Sequence, residues 1–217
     1  MFKGGRACVT SVSFRNSACY NARNSRAPIR DMEPGSLKNH FLIAMPTLAD
    51  PNFFHSVVYL CAHSAEGSMG IVVNQPLVIT LGEVLQHIEI KPRRQELGQR
   101  PVYLGGPVRR DALFVIHEPL QRWESTLVVT DRIGVTTSPD ILKALAEDEL
   151  PGDTLVALGY AGWDAGQLEQ EIADNAWLSG AADTRILFQT PAENRWAAAA
   201  ALLGVDMSRL SGEVGHA

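Results

Sequence analysis

Cys61 and His63 stand two residues apart in an apolar run, with His55 six residues before the cysteine. On a strand, positions i and i+2 share a face, so a thiol and an imidazole would lie side by side. That pairing suits a nucleophile with its base, or the first two ligands of a metal ion. Zinc needs three or four ligands, and no second Cys/His pair follows at ligand spacing. The chain has no Gly-x-Ser-x-Gly elbow, and Cys61 could meet His63 or His117 for catalysis only through tertiary folding. These residues therefore read as a small buried cysteine and a strand-end histidine, with no metal and no cofactor expected. Glu169, Glu171 and Asp174 cluster beside Leu168 and Ile172, which reads as a solvated helix face rather than a general acid/base pair.

A phosphate-cradling loop needs Gly-x-x-x-x-Gly-Lys-Ser/Thr or Gly-x-Gly-x-x-Gly between a strand and a helix, so that backbone N–H groups converge on the anion. Neither string is present. Leu104-Gly105-Gly106-Pro107-Val108 has proline where a further donor would help, and reads as a tight turn that requires glycine. The most unusual stretch is Gly159-Tyr160-Ala161-Gly162-Trp163-Asp164-Ala165-Gly166-Gln167-Leu168. Three glycines and two aromatics ahead of a helix describe a sharply turned binding loop, or an aromatic plug for the core. The candidate ligand-binding set is Asn74, Gly105, Gly106, Trp163, Asp164 and Gln167. An asparagine amide both donates and accepts, glycine lets a ligand approach the backbone, and tryptophan offers a stacking face. Asn74, ahead of Gln75-Pro76, has the plainer reading of a turn former.

The elements that must position these residues are mainly strands. Phe41–Ala44, Ser56–Cys61, Gly70–Val73, Val102–Leu104, Leu113–His117, Leu127–Val129, Thr154–Leu158 and Arg185–Phe188 each have strand length and composition. Helical spacing marks Thr80–His87, Gln167–Asp174 and Glu193–Leu203, the last followed by Gly204 as a left-handed cap. Ser138-Pro139-Asp140 before Ile141, Leu142 and Leu145 is the best helix start, with a capping side chain, proline at the first position and an acid on the positive end. Lys91–Arg100 reads as a surface loop. Irregular interleaving predicts a mixed sheet in an α/β (α+β) domain.

No apolar run reaches the length of a membrane span. Three cysteines without a Cys-x-x-Cys pair suit a reducing compartment and no disulfide. Of 19 basic and 24 acidic side chains, six and one fall within residues 1–31, which leaves the remainder near −10. Direct nucleic-acid binding is disfavoured by that charge, since such affinity comes largely from Lys and Arg displacing counterions. Residues 1–35 resemble a transit-type leader or an untranslated extension ahead of a start at Met32, and residues 36–217 form one domain.

Several blocks in order carry a family resemblance: Phe41-Leu42-Ile43-Ala44-Met45-Pro46, Phe54-His55-Ser56-Val57-Val58-Tyr59-Leu60-Cys61, Glu66 to Pro76, Gly105-Gly106-Pro107-Val108, Phe114-Val115-Ile116-His117, the Gly159 to Leu168 stretch, Asn175-Ala176-Trp177-Leu178 and the closing Ser211 to Ala217. Together they resemble the AlgH/YqgE family of bacterial proteins. The resemblance implies a bent, split mixed sheet forming a pseudo-barrel with flanking helices. It implies no reaction; some members carry the label of transcriptional regulator without a recognisable DNA-binding element. The leading expectation is a non-enzymatic cytoplasmic protein that acts through an unidentified protein partner or small ligand, with any effect on transcription indirect. The alternatives are a ligand-binding protein or enzyme with a pocket near Asn74, Gly105 and Trp163, and a direct DNA-binding regulator.

Overall fold

The computed structural model describes residues 35–207; the expected leader up to Pro34, Cys8, Cys19 and the closing block from Ser211 fall outside them. Strands β1 (His40–Ala44), β2 (Val57–Ser64), β3 (Gly67–Val72) and β4 (Pro76–Thr80) come first, then α1 (Leu81–His87) and the one-turn α2 (Gln95–Gly98). Next are β5 (Pro101–Leu104), β6 (Val108–Glu118), β7 (Thr126–Val128), β8 (Gly134–Thr136) and α3 (Pro139–Ala146). The long β9 (Asp153–Asp164), α4 (Gln167–Ala173), β10 (Trp177–Ala181), α5 (Thr184–Phe188) and α6 (Ala192–Leu202) complete the described chain. The strands curl in the order β10-β1-β2-β3-β9-β6-β8-β7, while β4 and β5 branch off β9. All pairings are antiparallel except β5 with β9, so the fold is mixed α/β with a curled half-barrel sheet. Among the described residues no helix is long and apolar enough to cross a membrane.

The curl is made by one strand that changes partners. Val156–Leu158 of β9 lie between β5 and β6, whereas Ala161–Asp164 pair with Gly67–Gly70 of β3. Gly159, between the two halves, has φ +75°, and a Cβ there would sit 2.7 Å from the Gly106 carbonyl oxygen. A Cβ on Gly106 (φ +152°) would lie 2.2 Å from the Tyr160 carbonyl carbon. Backbone therefore rests on backbone, and only glycine leaves that space free. The Gly105 N–H donates to the Leu158 carbonyl at 2.7 Å and its carbonyl accepts from Val72 at 2.8 Å, tying both halves of the sheet to one turn.

Side chains alternate between two buried faces. Phe41, Ile43, Tyr59, Cys61, Phe114 and Ile116 pack on one side with α5 and α6. Leu42, Val58, Leu60 and Trp163 pack on the other with Leu168 of α4. Leu81 and Leu85 of α1 and Ile141 and Leu145 of α3 cover Val102, Val115 and Val156. Burial on both faces explains why these strands read as continuous apolar runs.

Most predicted elements form, and the departures have local causes. Arg185–Phe188, expected as a strand, is helix α5, because Asp183 Oδ1 accepts from the Arg185 N–H at 2.8 Å and caps it. A four-residue apolar run does not distinguish the two states by periodicity. Gly159–Asp164, expected as a loop, is the second half of β9, with Gly159 serving the close approach of backbone to backbone. The short β4, β8 and β10 were not expected: β4 opens on proline, β8 has three residues, and β10 is Trp-Leu-Ser-Gly-Ala. Lys91–Arg100 contains α2, which buries Leu97. Ser138 does sit ahead of Pro139 at the start of α3, but its hydroxyl accepts from the Ser125 N–H at 3.1 Å instead of capping the helix. Thr80 and Glu83 form a reciprocal capping box at α1.

His117, 1% exposed, accepts at Nε2 from the Thr136 hydroxyl at 3.0 Å and donates from Nδ1 to the Pro119 carbonyl at 3.2 Å. Burial holds it below the ordinary imidazole value of 6.5, with the Pro119 contact opposing. The unfolded chain takes up this proton near 6.5 while the native one stays neutral, so its contribution is full above that pH and is lost as pH falls further. Urea midpoints measured from pH 8 to pH 5 are expected to decline for the wild type below about 6.5 and to decline less for His117→Asn. Gly106→Ala is expected to cost roughly 3 kcal/mol or more in urea denaturation, from backbone strain plus overpacking. Gly166→Ala, at φ +74° with nothing within 4 Å, is expected to cost only about 1 kcal/mol.

Candidate functional site

Trp163, Asp164 and Gln167 meet where β9 hands over to α4. The Gln167 side-chain oxygen accepts from the Asp164 N–H at 3.0 Å, and its amide donates to Glu171 Oε1 at 2.9 Å. Glu171 Oε2 accepts both indole N–H groups, from Trp163 at 2.9 Å and Trp177 at 2.8 Å. Phe53 packs against both rings at centroid distances of 6.2 and 5.3 Å. Trp163 is 5% exposed, so its faces are committed to the core, the geometry of an aromatic plug. Of the acidic cluster, Glu169 and Asp174 are exposed, as a solvated face requires, whereas Glu171 is half-buried and committed to these bonds. Two residues earlier, Glu169 takes a bond of 2.8 Å from His63 Nε2, whose Nδ1 accepts from the Leu37 N–H at 3.0 Å. The Glu169 carboxyl is held below the usual range by its own backbone N–H and then by His63.

Cys61 does not share that face. Leu60 pairs with Gly70 and Ala62 with Met69, so Cys61 is the extra residue of a bulge. A one-residue insertion reverses the alternation beyond it, which sends His63 toward α4 and leaves Cys61 among Tyr59 and Phe41. The thiol donates to the Tyr59 carbonyl at 3.4 Å and burial pushes its pKa up, the reverse of what a nucleophile needs.

Asn74, Gly105 and Gly106 lie toward the other end of β3 from Trp163, so the six candidates form two groups rather than one cleft. Gly105 and Gly106 are occupied by the β9 crossing. Asn74 accepts from the Val57 N–H and donates to the His55 carbonyl, both at 2.8 Å. This clamp holds His55 at φ +50°, in the left-handed region that non-glycine residues seldom adopt. His55 is thereby sandwiched between Phe54 and Trp196 at centroid distances of 4.0 and 4.1 Å. Behind the stack, His55, Trp196, Ala197, Ala201, Val205 and Met207 line a groove of about 590 Å³. Asn74 therefore sits behind a concave surface rather than in it.

A second cavity, of about 210 Å³, is lined by Arg100, Tyr103, Thr154, Phe188 and Arg195 among others. Arg195 is 4% exposed; its Nε donates to the Thr190 carbonyl at 2.9 Å, its Nη1 donates to the Val73 carbonyl, and its guanidinium lies 5.1 Å above the Tyr103 ring. These residues come from four elements and share no sequence spacing. The one available signal is Arg195 in an alanine-rich helix, four residues before the buried Ala199 and hence on the buried face. Among the residues around Trp163, Glu171→Ala is expected to cost about 2 kcal/mol in urea denaturation and to shift tryptophan emission, because two indole donors lose one charged acceptor. Glu171→Gln, which keeps a carbonyl oxygen, is expected to lose less.

The chain matches the family model described as DUF179, AlgH-like, over residues 41–208. A UPF0301 protein of Nitrosococcus oceani is 56% identical over 180 residues, covering 83% of this chain and 96% of that protein. A UPF0301 protein of Thioalkalivibrio sulfidiphilus is 58% identical over 179 residues, covering 82% and 96%. The solution structure of the AlgH protein from Pseudomonas aeruginosa superposes with a TM-score of 0.71 at 46% identity, over 87% of this chain and all of that one. A crystal structure from Corynebacterium diphtheriae shares the fold at a TM-score of 0.61 and 20% identity, over 87% and 93%. Sequence and fold thus agree, and the chain belongs to the AlgH-like, UPF0301 family.

Proposed function

We propose that this chain is a regulatory or interaction protein of the cytoplasm that works by holding a protein partner, with no reaction of its own and with any influence on transcription exerted through that partner. The observation that carries the reading is the aromatic groove. Phe54 is 58% exposed beside it, and Leu202 and Leu203 at the end of α6 are 48% and 38% exposed. Large apolar side chains left in water next to a concave apolar surface mark contact sites in folded proteins. The buried Cys61 thiol suits a reducing compartment. The partner that fits is an amphipathic segment with apolar side chains for the groove and basic flanks, since charge complementarity steers it toward a body near −10. The same charge works against direct attachment to DNA.

Ala201→Glu and Phe54→Ser alter exposed positions and are expected to leave folding intact. Cross-linking in cell extract followed by mass spectrometry is expected to find at least one protein captured by the wild type and reduced about tenfold or more by Ala201→Glu, the loss matching about 1.4 kcal/mol. Capture that neither substitution alters would overturn the groove as the contact surface. In a gel-shift titration across salt, no saturable duplex binding is expected near 150 mM; tight binding with a steep salt slope would replace this reading with a DNA-binding one.

A further inference from the structure

Arg94, Arg132 and Arg185 each pair with a carboxylate, at Asp148, Glu118 and Asp183. Arg100 and Arg195 do not pair with any carboxylate among the described residues. Arg195 is nonetheless the most deeply buried cation described, and burial lowers its pKa while leaving a guanidinium charged at neutral pH. The Thr190 and Val73 carbonyls accept from it, and the Tyr103 side chain and the more distant Glu193 charge also favour its charged form; none of these is a carboxylate bonded to the guanidinium. Arg100 is half-buried and donates one N–H, to the Thr154 hydroxyl at 2.9 Å. Both arginines line the same small cavity, as does Tyr103, whose ring lies under the Arg195 guanidinium. Its carboxylate, Asp153, is at the exposed rim, where it accepts from the Gln189 amide at 3.5 Å. The lining is thus net positive within a domain near −10.

We propose that this cavity, between the start of β9, β5 and helices α5 and α6, binds a small oxyanion, a phosphate or carboxylate group held by Arg100 and Arg195. A guanidinium is a planar fork of donors matched to two oxygens of such a group, and two forks facing one space can hold it from different sides. Thr154 supplies a hydroxyl, and Pro101, Leu155, Val156 and Phe188 give a short carbon chain an apolar wall. A volume of about 210 Å³ is below the roughly 300–1,000 Å³ of sites for drug-sized ligands, so the ligand is smaller than a nucleotide. This site lies apart from the aromatic groove and stands independently of the partner proposed there.

The test is calorimetric titration and thermal melting of the full chain with inorganic phosphate and, separately, succinate, at an ionic strength held constant with chloride. Saturable binding of at least one probe is expected, with a rise in melting temperature that chloride does not reproduce. Arg100→Gln is expected to weaken it about tenfold or more while circular dichroism and the urea midpoint stay near wild type. Backbone amide shifts on titration are expected at Tyr103 and Thr154. Binding of phosphate alone assigns a phosphate ligand, of succinate alone a carboxylate, and of both the shared chemistry. An effect no different from chloride, or binding equally tight in Arg100→Gln, overturns the proposal. Arg195→Lys is a second variant; should it fail to fold, Arg100→Gln still decides.

Discussion

Where β9 leaves β5 and β6 for β3, two stretches of backbone touch with no side chain between them. Gly159 on one stretch and Gly105-Gly106 on the other are the residues that permit it, two of the three at positive φ. The sheet can curl because a single strand belongs to both of its halves, and that strand can change partners only where its neighbour comes this close. The Gly105 hydrogen bonds to Leu158 and Val72 then lock both halves to one point. Helices α5 and α6 on one face, and α1, α3 and α4 on the other, cover apolar surfaces whose relative orientation this crossing sets.

Many polar groups in the interior are assigned to structural bonds, although the buried Ser56 hydroxyl and Trp123 indole N–H have no hydrogen-bond partner. One carboxylate, Glu171, serves two tryptophans and a glutamine, and Asn74 uses both ends of its amide on the segment ahead of β2. Buried amides and carboxylates earn their place when their bonding capacity is filled in this way. Two places stand out against that background. The groove beside Trp196 leaves apolar surface in water, and the cavity beside Arg195 holds two guanidiniums with no carboxylate bonded to either. Both depend on α6, which presents Arg195 inward and Trp196 next to it toward His55.

Adjacent residues on α6 thus take opposite tasks because successive positions on a helix point about 100° apart. Apart from Thr190, five residues before the arginine, their partners come from far along the chain: Val73 and Tyr103 for the arginine, His55 and the Ala44 carbonyl for the tryptophan. A change of register in α6 would disturb both surfaces at once.

The sequence by itself determined the strand-rich framework, the helices at Leu81, Pro139, Gln167 and Ala192, the need for glycine at 105 and 106, and the family. Local signals suffice for these: apolar runs, caps, and residue types that only one backbone geometry tolerates. Tertiary structure decided what local pattern could not. The Asp183 cap and packing against the core made Arg185–Phe188 helical; a single inserted residue at Cys61 separated the thiol from His63; and Phe53, far along the chain, packed against Trp163 and Trp177 while Glu171 bonded both indoles and Gln167. The groove and the arginine cavity were illegible for the same reason, since each is assembled from segments far apart in the chain, His55 with Trp196 in one and Arg100, Thr154 and Arg195 in the other, that only the fold brings together.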